Sequence, residues 1–301
     1  MTRFIRHSLK IILGVGVFLC IIFFFTIPTQ AFEVPSSQKN IKIFFETLEG
    51  RCTEYGWKDV RPRQIKWEFH RITRNKYPLV FTQLGHSKNN CTLLLGSVHG
   101  DELPTVYLLL KLAHYIKENP MLFQDKCIVI APLVNPDGFF SKPPKRVNAT
   151  GIDINRNFPT KDWNAEALHQ WKHKYGGNRR YYPGKMPGSE QETQFQIALI
   201  KRFSPKKILS VHSPLGFYDF DGPSSELDSL EKWLDAISRE TKHPWKKFGY
   251  FPGSLGNYAG HERNIFTLTL ELPSSDPGKG DEFFLQFQPA FLKFLNLSIY
   301  E

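Results

Sequence analysis

The chain has 301 residues, of which 41% are hydrophobic, and a formal net charge of +10. This length predicts one globular domain with an appendage, and no repeat or low-complexity tract argues for an array or a disordered chain. The excess of basic residues favours an anionic polymer as a partner. We expect no nucleic acid among the partners, because the chain carries no zinc-finger, RNP-like or helix-turn-helix signature.

Residues 11–27 form an uninterrupted apolar run that follows three basic residues. This pattern is typical of a signal peptide or an uncleaved membrane anchor. Positive charges before such a run keep the N-terminus in the cytoplasm, so we expect the rest to be exported. It would be periplasmic, or held by the inner membrane and facing the periplasm. The predicted divisions are a leader at 1–31, a linker and N-terminal helix at 32–65, and a globular domain at 66–301.

Beyond the leader, apolar periodicity predicts helices and strands in alternation. The predicted helices are 41–54, 104–115, 194–202, 227–238 and 283–297, and the predicted strands are 67–72, 77–84, 93–95, 128–134, 207–211 and 266–270. Pro104 suits the first position of its helix, where its missing N–H would have no partner. The alternation indicates an α/β fold, in which helices sandwich a mixed parallel and antiparallel sheet.

Three cysteines follow the leader: Cys52, Cys91 and Cys127. Cys91 and Cys127 open two apolar runs that we expect to form neighbouring parallel strands. An oxidising compartment permits a disulfide between them. Small buried thiols are the expected state, and no cysteine spacing suggests a metal site.

His99, Glu102 and His212 are the most informative residues for chemistry. Two imidazoles and one carboxylate are the ligand set of an open catalytic zinc site, in which a fourth position stays free for water. The three-residue spacing of His99 and Glu102 differs from the helical HExxH motif. It suits loops at the ends of neighbouring parallel strands, where α/β proteins place their active sites. Any one of these histidines alone could equally be structural.

Five motifs accompany these residues in order: GSVHGDE at 96–102, NPDG at 135–138, RVNATGIDINRNFP at 146–159, ILSVH at 208–212 and TLTLELP at 267–273. Together they closely resemble the zinc carboxypeptidase family of the carboxypeptidase A type, over residue 69 to the C-terminus. The resemblance implies a mixed eight-stranded sheet sandwiched by helices, with 66–301 as the catalytic domain. It also implies one zinc ion per chain, bound by His99, Glu102 and His212.

The resemblance also implies roles for four polar residues. Glu271 would be the general base and proton shuttle, and Arg146 would stabilise the negative charge that develops on the scissile carbonyl. Asn155 and Arg156 would grip the terminal carboxylate of the substrate. Asp153 and Asn157 are expected to be scaffold that orients this loop.

Around the substrate, the resemblance implies a mobile tyrosine and a pocket for the leaving residue. Tyr250 is the candidate for the tyrosine, although Tyr258 competes for the role. Ser254 and Leu255 would line the pocket.

Within this family, the stretches at 185–194 and 249–256 resemble bacterial murein peptide amidases. Those enzymes cut the γ-D-glutamyl–meso-diaminopimelate bond of cell-wall peptides. The expected function is therefore the shortening of a murein tripeptide to its dipeptide, in cell-wall remodelling or recycling. The alternatives are a general carboxypeptidase acting on proteins, a zinc N-acyl amidohydrolase of the aspartoacylase type, and a non-catalytic wall-binding module. Intact Glu271 and Arg146 argue against the last.

Overall fold

The computed structural model describes residues 38–299. The predicted leader lies outside the described residues. Within residues 38–299, no helix is both long and apolar enough to cross a membrane. Export and membrane anchoring therefore stay predictions.

Eight strands form one mixed sheet in the order β1-β2-β4-β3-β5-β8-β6-β7. Its four central strands, β4, β3, β5 and β8, are parallel, whereas β1, β2 and β6 pair with their inner neighbours in the antiparallel sense. The strands are β1 (Glu68–Ile72), β2 (Pro78–Leu84), β3 (Thr92–Gly96), β4 (Ile128–Ala131), β5 (Lys207–His212), β6 (Phe217–Gly222), β7 (Trp245–Lys246) and β8 (Phe266–Glu271). This sheet confirms the predicted fold class.

Helices cover both faces of the sheet. They are α1 (Gln38–Glu54), α2 (Pro104–Glu118), α3 (Pro136–Phe140), α4 (Leu168–His173), α5 (Gln191–Phe203), α6 (Leu227–Thr241) and α7 (Gly280–Asn296). The helices α1, α2, α6 and α7 bury apolar side chains in one core together with Leu94 of β3. Its neighbours Leu93 and Leu95 face the second core, which α5 closes. Alternate residues of a strand point to opposite faces, so a strand buried on both faces is continuously apolar.

Cys91 and Cys127 form a disulfide in the structure, so the expectation of two free thiols is wrong. Because β3 and β4 are parallel and Thr92 lies opposite Ile128, the cysteines that precede these residues lie side by side. Cys52 is free and buried in the core.

Candidate active site

The carboxyl ends of three neighbouring parallel strands meet at the predicted site. His212 is the last residue of β5, and Glu271, the last residue of β8, lies directly opposite it. On the other side of β5, Gly96 ends β3 and is paired with Val211, and the chain then turns into the loop that carries His99 and Glu102. This is the edge at which open α/β sheets bind their ligands.

The ligand atoms of the predicted metal site converge. Glu102 Oε1 is 2.7 Å from His99 Nδ1, and Glu102 Oε2 is 2.9 Å from His212 Nδ1. The two Nδ1 atoms are 3.1 Å apart, and all three side chains are buried. These three donor atoms, with no fourth protein ligand in the group among residues 38–299, match an open zinc site.

The second nitrogen of each imidazole also has a partner. His99 Nε2 is 3.2 Å from Asp153 Oδ1, and His212 Nε2 is 2.9 Å from the hydroxyl of Ser210. Such partners fix the ring orientation and direct the other nitrogen towards a metal. The arrangement therefore fits a metal ion held through the two Nδ1 atoms and the Glu102 carboxylate.

Glu102 is in the charged form that a metal requires. Burial disfavours its ionisation, but the neighbouring imidazoles of His99 and His212 and their hydrogen bonds outweigh burial and lower the pKa of this carboxyl. Metal ligands must be deprotonated to bind, and the Glu102 carboxylate meets that condition.

The loop that carries His99 packs closely against the backbone of α3 at Gly138. A side chain at Gly100 would place its Cβ 2.3 Å from the backbone of Gly138, so only glycine fits there. Asn135 accepts a hydrogen bond from the Gly138 backbone N–H and donates one to the Arg146 carbonyl, and its own N–H is bonded to Ser97. The motif at 135–138 therefore supports the loop that carries His99 and Glu102, a role that its sequence alone did not indicate.

Arg146 reaches the same site from the following loop. Its Nε and Nη2 lie 3.0 and 2.9 Å from Asp153 Oδ2, which fixes the guanidinium. Its Nη1 is 3.0 Å from His99 Nδ1 and 3.6 Å from Glu102 Oε1. A buried cation thus lies beside the ligand atoms, and Asp153 positions both Arg146 and His99.

Asn155 and Arg156 line the cavity together with the residues predicted for the pocket. The side chain of Asn155 accepts a hydrogen bond from the backbone N–H of Leu255 at 2.8 Å. The guanidinium of Arg156 lies 4.4 Å from the centre of the Phe251 ring, and its buried Nε has no hydrogen-bond partner among the described residues. Gly253 packs on this loop, because a Cβ there would lie 2.1 Å from the Arg156 carbonyl oxygen.

The two candidate tyrosines are in different environments. Tyr258 is buried, packs 5.2 Å from Phe158 and is not part of the cavity lining. Tyr250 lines the cavity. Its ring is stacked 4.5 Å from His261, and its hydroxyl is 3.0 Å from the hydroxyl of Ser224.

A cavity of about 630 Å³ joins these parts. Its lining includes the three predicted metal ligands, all the other predicted site residues and two residues that the motif analysis missed, Asp219 and Asp221 of β6. Burial raises the pKa of Glu271 at the edge of this cavity; Glu102 adds to the rise, and the imidazoles partly oppose it. Glu271 accepts one long hydrogen bond, 3.5 Å, from the backbone of Leu215.

Comparison with known proteins identifies the family of this chain. A family model described as zinc carboxypeptidase matches residues 70–247. Murein peptide amidase A of Escherichia coli (strain K12) is 31% identical over 214 residues, which cover 69% of this chain and 81% of that protein. The crystal structure of murein-tripeptide amidase from Escherichia coli O157 matches with a TM-score of 0.55 and 25% identity, over 77% of this chain and 92% of that one. Bovine thrombin-activatable fibrinolysis inhibitor matches in fold, with a TM-score of 0.65 and 18% identity, over 86% and 95% of the two chains.

The chain belongs to the zinc carboxypeptidase family. It is a hydrolase, and its buried His99, Glu102 and His212 form a site that can hold a metal ion. The resemblance read from the motifs is confirmed.

Proposed function

We propose that this protein is an exported zinc peptidase that hydrolyses the γ-D-glutamyl–meso-diaminopimelate bond of murein peptides. The observation that carries the proposal is the convergence of His99, Glu102 and His212 at one end of a cavity that Glu271 and Arg156 also line. The identity with murein peptide amidase A supports the choice of substrate.

Zinc bound by His99, Glu102 and His212 would supply Lewis-acid polarisation of the scissile carbonyl and an acidified water. Glu271 takes the proton of the attacking water and delivers it to the leaving amine, which is the work of a general acid–base group. Its position opposite His212 places the carboxylate beside the metal ligands, and its raised pKa favours a group that can both accept and return a proton.

Arg146 stabilises the negative charge that develops on the carbonyl oxygen. A preorganised cation is most effective where water is excluded, and the Arg146 side chain is buried and fixed by Asp153. Its Nη1 already points at the metal-ligand atoms, so little reorganisation is needed during the reaction.

Asn155 and Arg156 bind the terminal carboxylate of the substrate, which places the last peptide bond at the metal. A planar guanidinium can hold a carboxylate by two hydrogen bonds, and Arg156 lines the cavity together with Asn155. Ser254, Leu255 and Tyr250 line the pocket for the leaving residue. In the structure Tyr250 is held by Ser224 and His261, so movement over the substrate requires it to leave both partners.

The cellular location is part of the proposal. The basic and apolar N-terminal pattern supports export across the inner membrane. The disulfide between Cys91 and Cys127 supports an oxidising compartment, because such bonds form and persist outside the cytosol. Both observations agree with a substrate in the bacterial cell wall. An uncleaved leader would hold the enzyme at the inner membrane, close to that substrate.

Two measurements test the proposal. Elemental analysis should find one zinc per wild-type chain and a strongly reduced content in His212→Ala. Mass spectrometry should then show release of diaminopimelate from a murein tripeptide, with little cleavage of ordinary peptides that end in Phe. Comparable rates on both substrate classes would instead identify a general carboxypeptidase. Cleavage of neither would favour a zinc N-acyl amidohydrolase of the aspartoacylase type. A wild type that never holds stoichiometric zinc would exclude all three of these zinc enzymes.

A further inference from the structure

A basic segment that contains α4 forms one wall of the cavity. Residues 167–189 include no aspartate or glutamate, and their lysines and arginines are Lys172, Lys174, Arg179, Arg180 and Lys185. The cavity lining includes Lys174, Tyr175, Arg180 and Tyr181 from this segment. The proposed mechanism gives these four residues no role, although they share the cavity with the predicted metal ligands.

The turn that carries Arg180 is fixed by its own hydrogen bonds. The side chain of Asn178 accepts the Arg180 backbone N–H at 2.9 Å, and the carbonyl of Asn178 accepts the indole N–H of Trp171 at 2.8 Å. The backbone N–H of Asp153 donates to the Tyr182 carbonyl at 2.8 Å. These bonds tie the turn to the loop beside the metal ligands, so the backbone of Arg180 is held in place.

The two cations of this wall lie near different parts of the site. The Lys174 ammonium is 5.1 Å from the centre of the Phe251 ring, and the guanidinium of Arg156 packs 4.4 Å from the same ring. Lys174 therefore lies beside the residue that would hold the terminal carboxylate. Arg180 instead contacts the loop of the metal ligands. Its Nη1 is 2.6 Å from Oδ2 of Asp101, which directly precedes one of the three predicted ligands.

The guanidinium of Arg180 can bind a further group. Its side chain is 43% exposed, and its ion pair with Asp101 uses Nη1. A guanidinium offers five N–H donors in a planar fork, so Asp101 can orient the group and leave Nε and Nη2 for a ligand. The next residue, Tyr181, places its ring centre 5.3 Å from the guanidinium carbon of Arg146. Arg180 is thus an oriented cation on the cavity surface, next to the residue that contacts the predicted oxyanion-binding arginine.

From this geometry we infer that Arg180 is a specificity-determining residue, which binds a free carboxylate on the acyl side of the scissile bond. The inference rests on the proposed function for the direction in which the substrate lies. With its terminal carboxylate at Arg156, the substrate would extend its acyl side past the metal ligands to Asp101 and Arg180. The substrates favoured by Arg180 are then those whose acyl residue is acidic. A glutamyl residue joined through its side chain meets this condition, because its α-carboxylate stays free.

Binding of two tripeptides that differ in one group tests the inference without requiring cleavage. The first is L-alanyl-γ-D-glutamyl-meso-diaminopimelate, and the second has D-isoglutamine in place of D-glutamate, so an uncharged amide of the same size replaces the α-carboxylate. Zinc-loaded Glu271→Gln protein should bind both and leave them largely intact. Calorimetry should give a dissociation constant about fivefold lower for the first peptide, which is the upper end of the range for a partly exposed ion pair. Constants within twofold of each other would overturn the inference.

Substitutions in the same Glu271→Gln protein assign the preference to one side chain. Arg180→Gln should weaken binding of the glutamate peptide and leave the affinity for the isoglutamine peptide within twofold. Equal weakening of both peptides would show a structural role only and would overturn the inference. Arg179→Gln is the matched control, because Arg179 is adjacent in sequence, packs 4.6 Å from the Tyr182 ring and is not part of the cavity lining.

The control should keep the full preference. An undiminished preference in Arg180→Gln, or its loss in Arg179→Gln, would place the carboxylate elsewhere. If wild type leaves the glutamate tripeptide intact while the Arg180-dependent binding preference is present, the murein function is refuted and this site stands.

Discussion

Replacing Asp153 by asparagine should lower the affinity of the site for zinc, although none of the three predicted metal ligands is substituted. Asp153 is fully buried, and its carboxylate lies 2.9 Å from Arg146 Nη2 and 3.2 Å from His99 Nε2. It also accepts the backbone N–H of Asn155 at 3.0 Å. Asparagine keeps the shape, but it removes the negative charge that balances Arg146 and orients His99.

Two magnitudes follow from these contacts. Removing one partner of a buried ion pair typically costs 3–5 kcal/mol, here about 3 kcal/mol because the asparagine oxygen can still accept a hydrogen bond. Partners of metal-binding histidines typically contribute a factor of about 10 to 100 in metal affinity or activity. We therefore expect Asp153→Asn to lower zinc affinity by roughly tenfold or more.

Competition with a chelator measures the zinc affinity, and urea unfolding of the zinc-free protein measures the free energy of unfolding. Ser210→Ala is the matched control, because it removes the partner of His212 Nε2 without leaving a buried charge unpaired; its effect on unfolding should be smaller. If Asp153→Asn binds zinc within twofold of the wild type and unfolds at the same urea concentration, the assigned positioning role is incorrect.

Three further predictions concern substrate binding, pH and location. Arg156→Ala should mainly raise KM and Arg146→Ala should mainly lower kcat, and steady-state kinetics showing the reverse would mean that the roles are exchanged. Burial raises the pKa of Glu192 from 4.5 to about 7, so the folded chain holds this proton more tightly than the unfolded chain. The associated stability is present below pH 4.5 and is lost as the pH rises through 7, a change of about 3 kcal/mol that Glu192→Gln should abolish in unfolding experiments across this range. A reporter enzyme that works only in the periplasm should be active when it is fused after Ser36, whereas one that works only in the cytoplasm should be inactive. The opposite result would contradict export.

The three residues that can hold a metal ion could be predicted from local motifs. His99 and Glu102 follow one apolar run and His212 ends another, and parallel strands bring such ends together. The same reasoning located Glu271 at the end of β8. The apolar runs mark these strand ends clearly, and the five accompanying motifs were needed to distinguish the residues from structural ones.

The cavity wall formed by β6 could not be predicted in the same way. Asp219 and Asp221 interrupt the apolar pattern of β6, and aspartate is depleted in strands, so this segment was not predicted as a strand. All six of its residues are nevertheless buried. The aspartates face the cavity, and their burial depends on Phe248, Thr269 and other residues distant in sequence.

The disulfide and the role of Asn135 also depend on contacts between distant segments. Cys91 and Cys127 are 36 residues apart, and their pairing depends on the register between β3 and β4. Asn135 is recognisable as part of a motif. Only the fold shows that it is hydrogen-bonded both to Ser97, at the start of the loop that carries His99, and to the Arg146 carbonyl.

The most direct test of the central claim is the cleavage of a murein tripeptide by zinc-loaded wild type and Glu271→Gln, with zinc content measured on the same samples. The wild type should release diaminopimelate and leave the dipeptide. The variant keeps the size of the side chain and all three zinc ligands, so it should retain zinc while turnover falls by roughly 100- to 10,000-fold, the usual contribution of a general acid–base group. A wild type that holds zinc but releases no diaminopimelate, or a variant within about tenfold of its rate, would contradict the account.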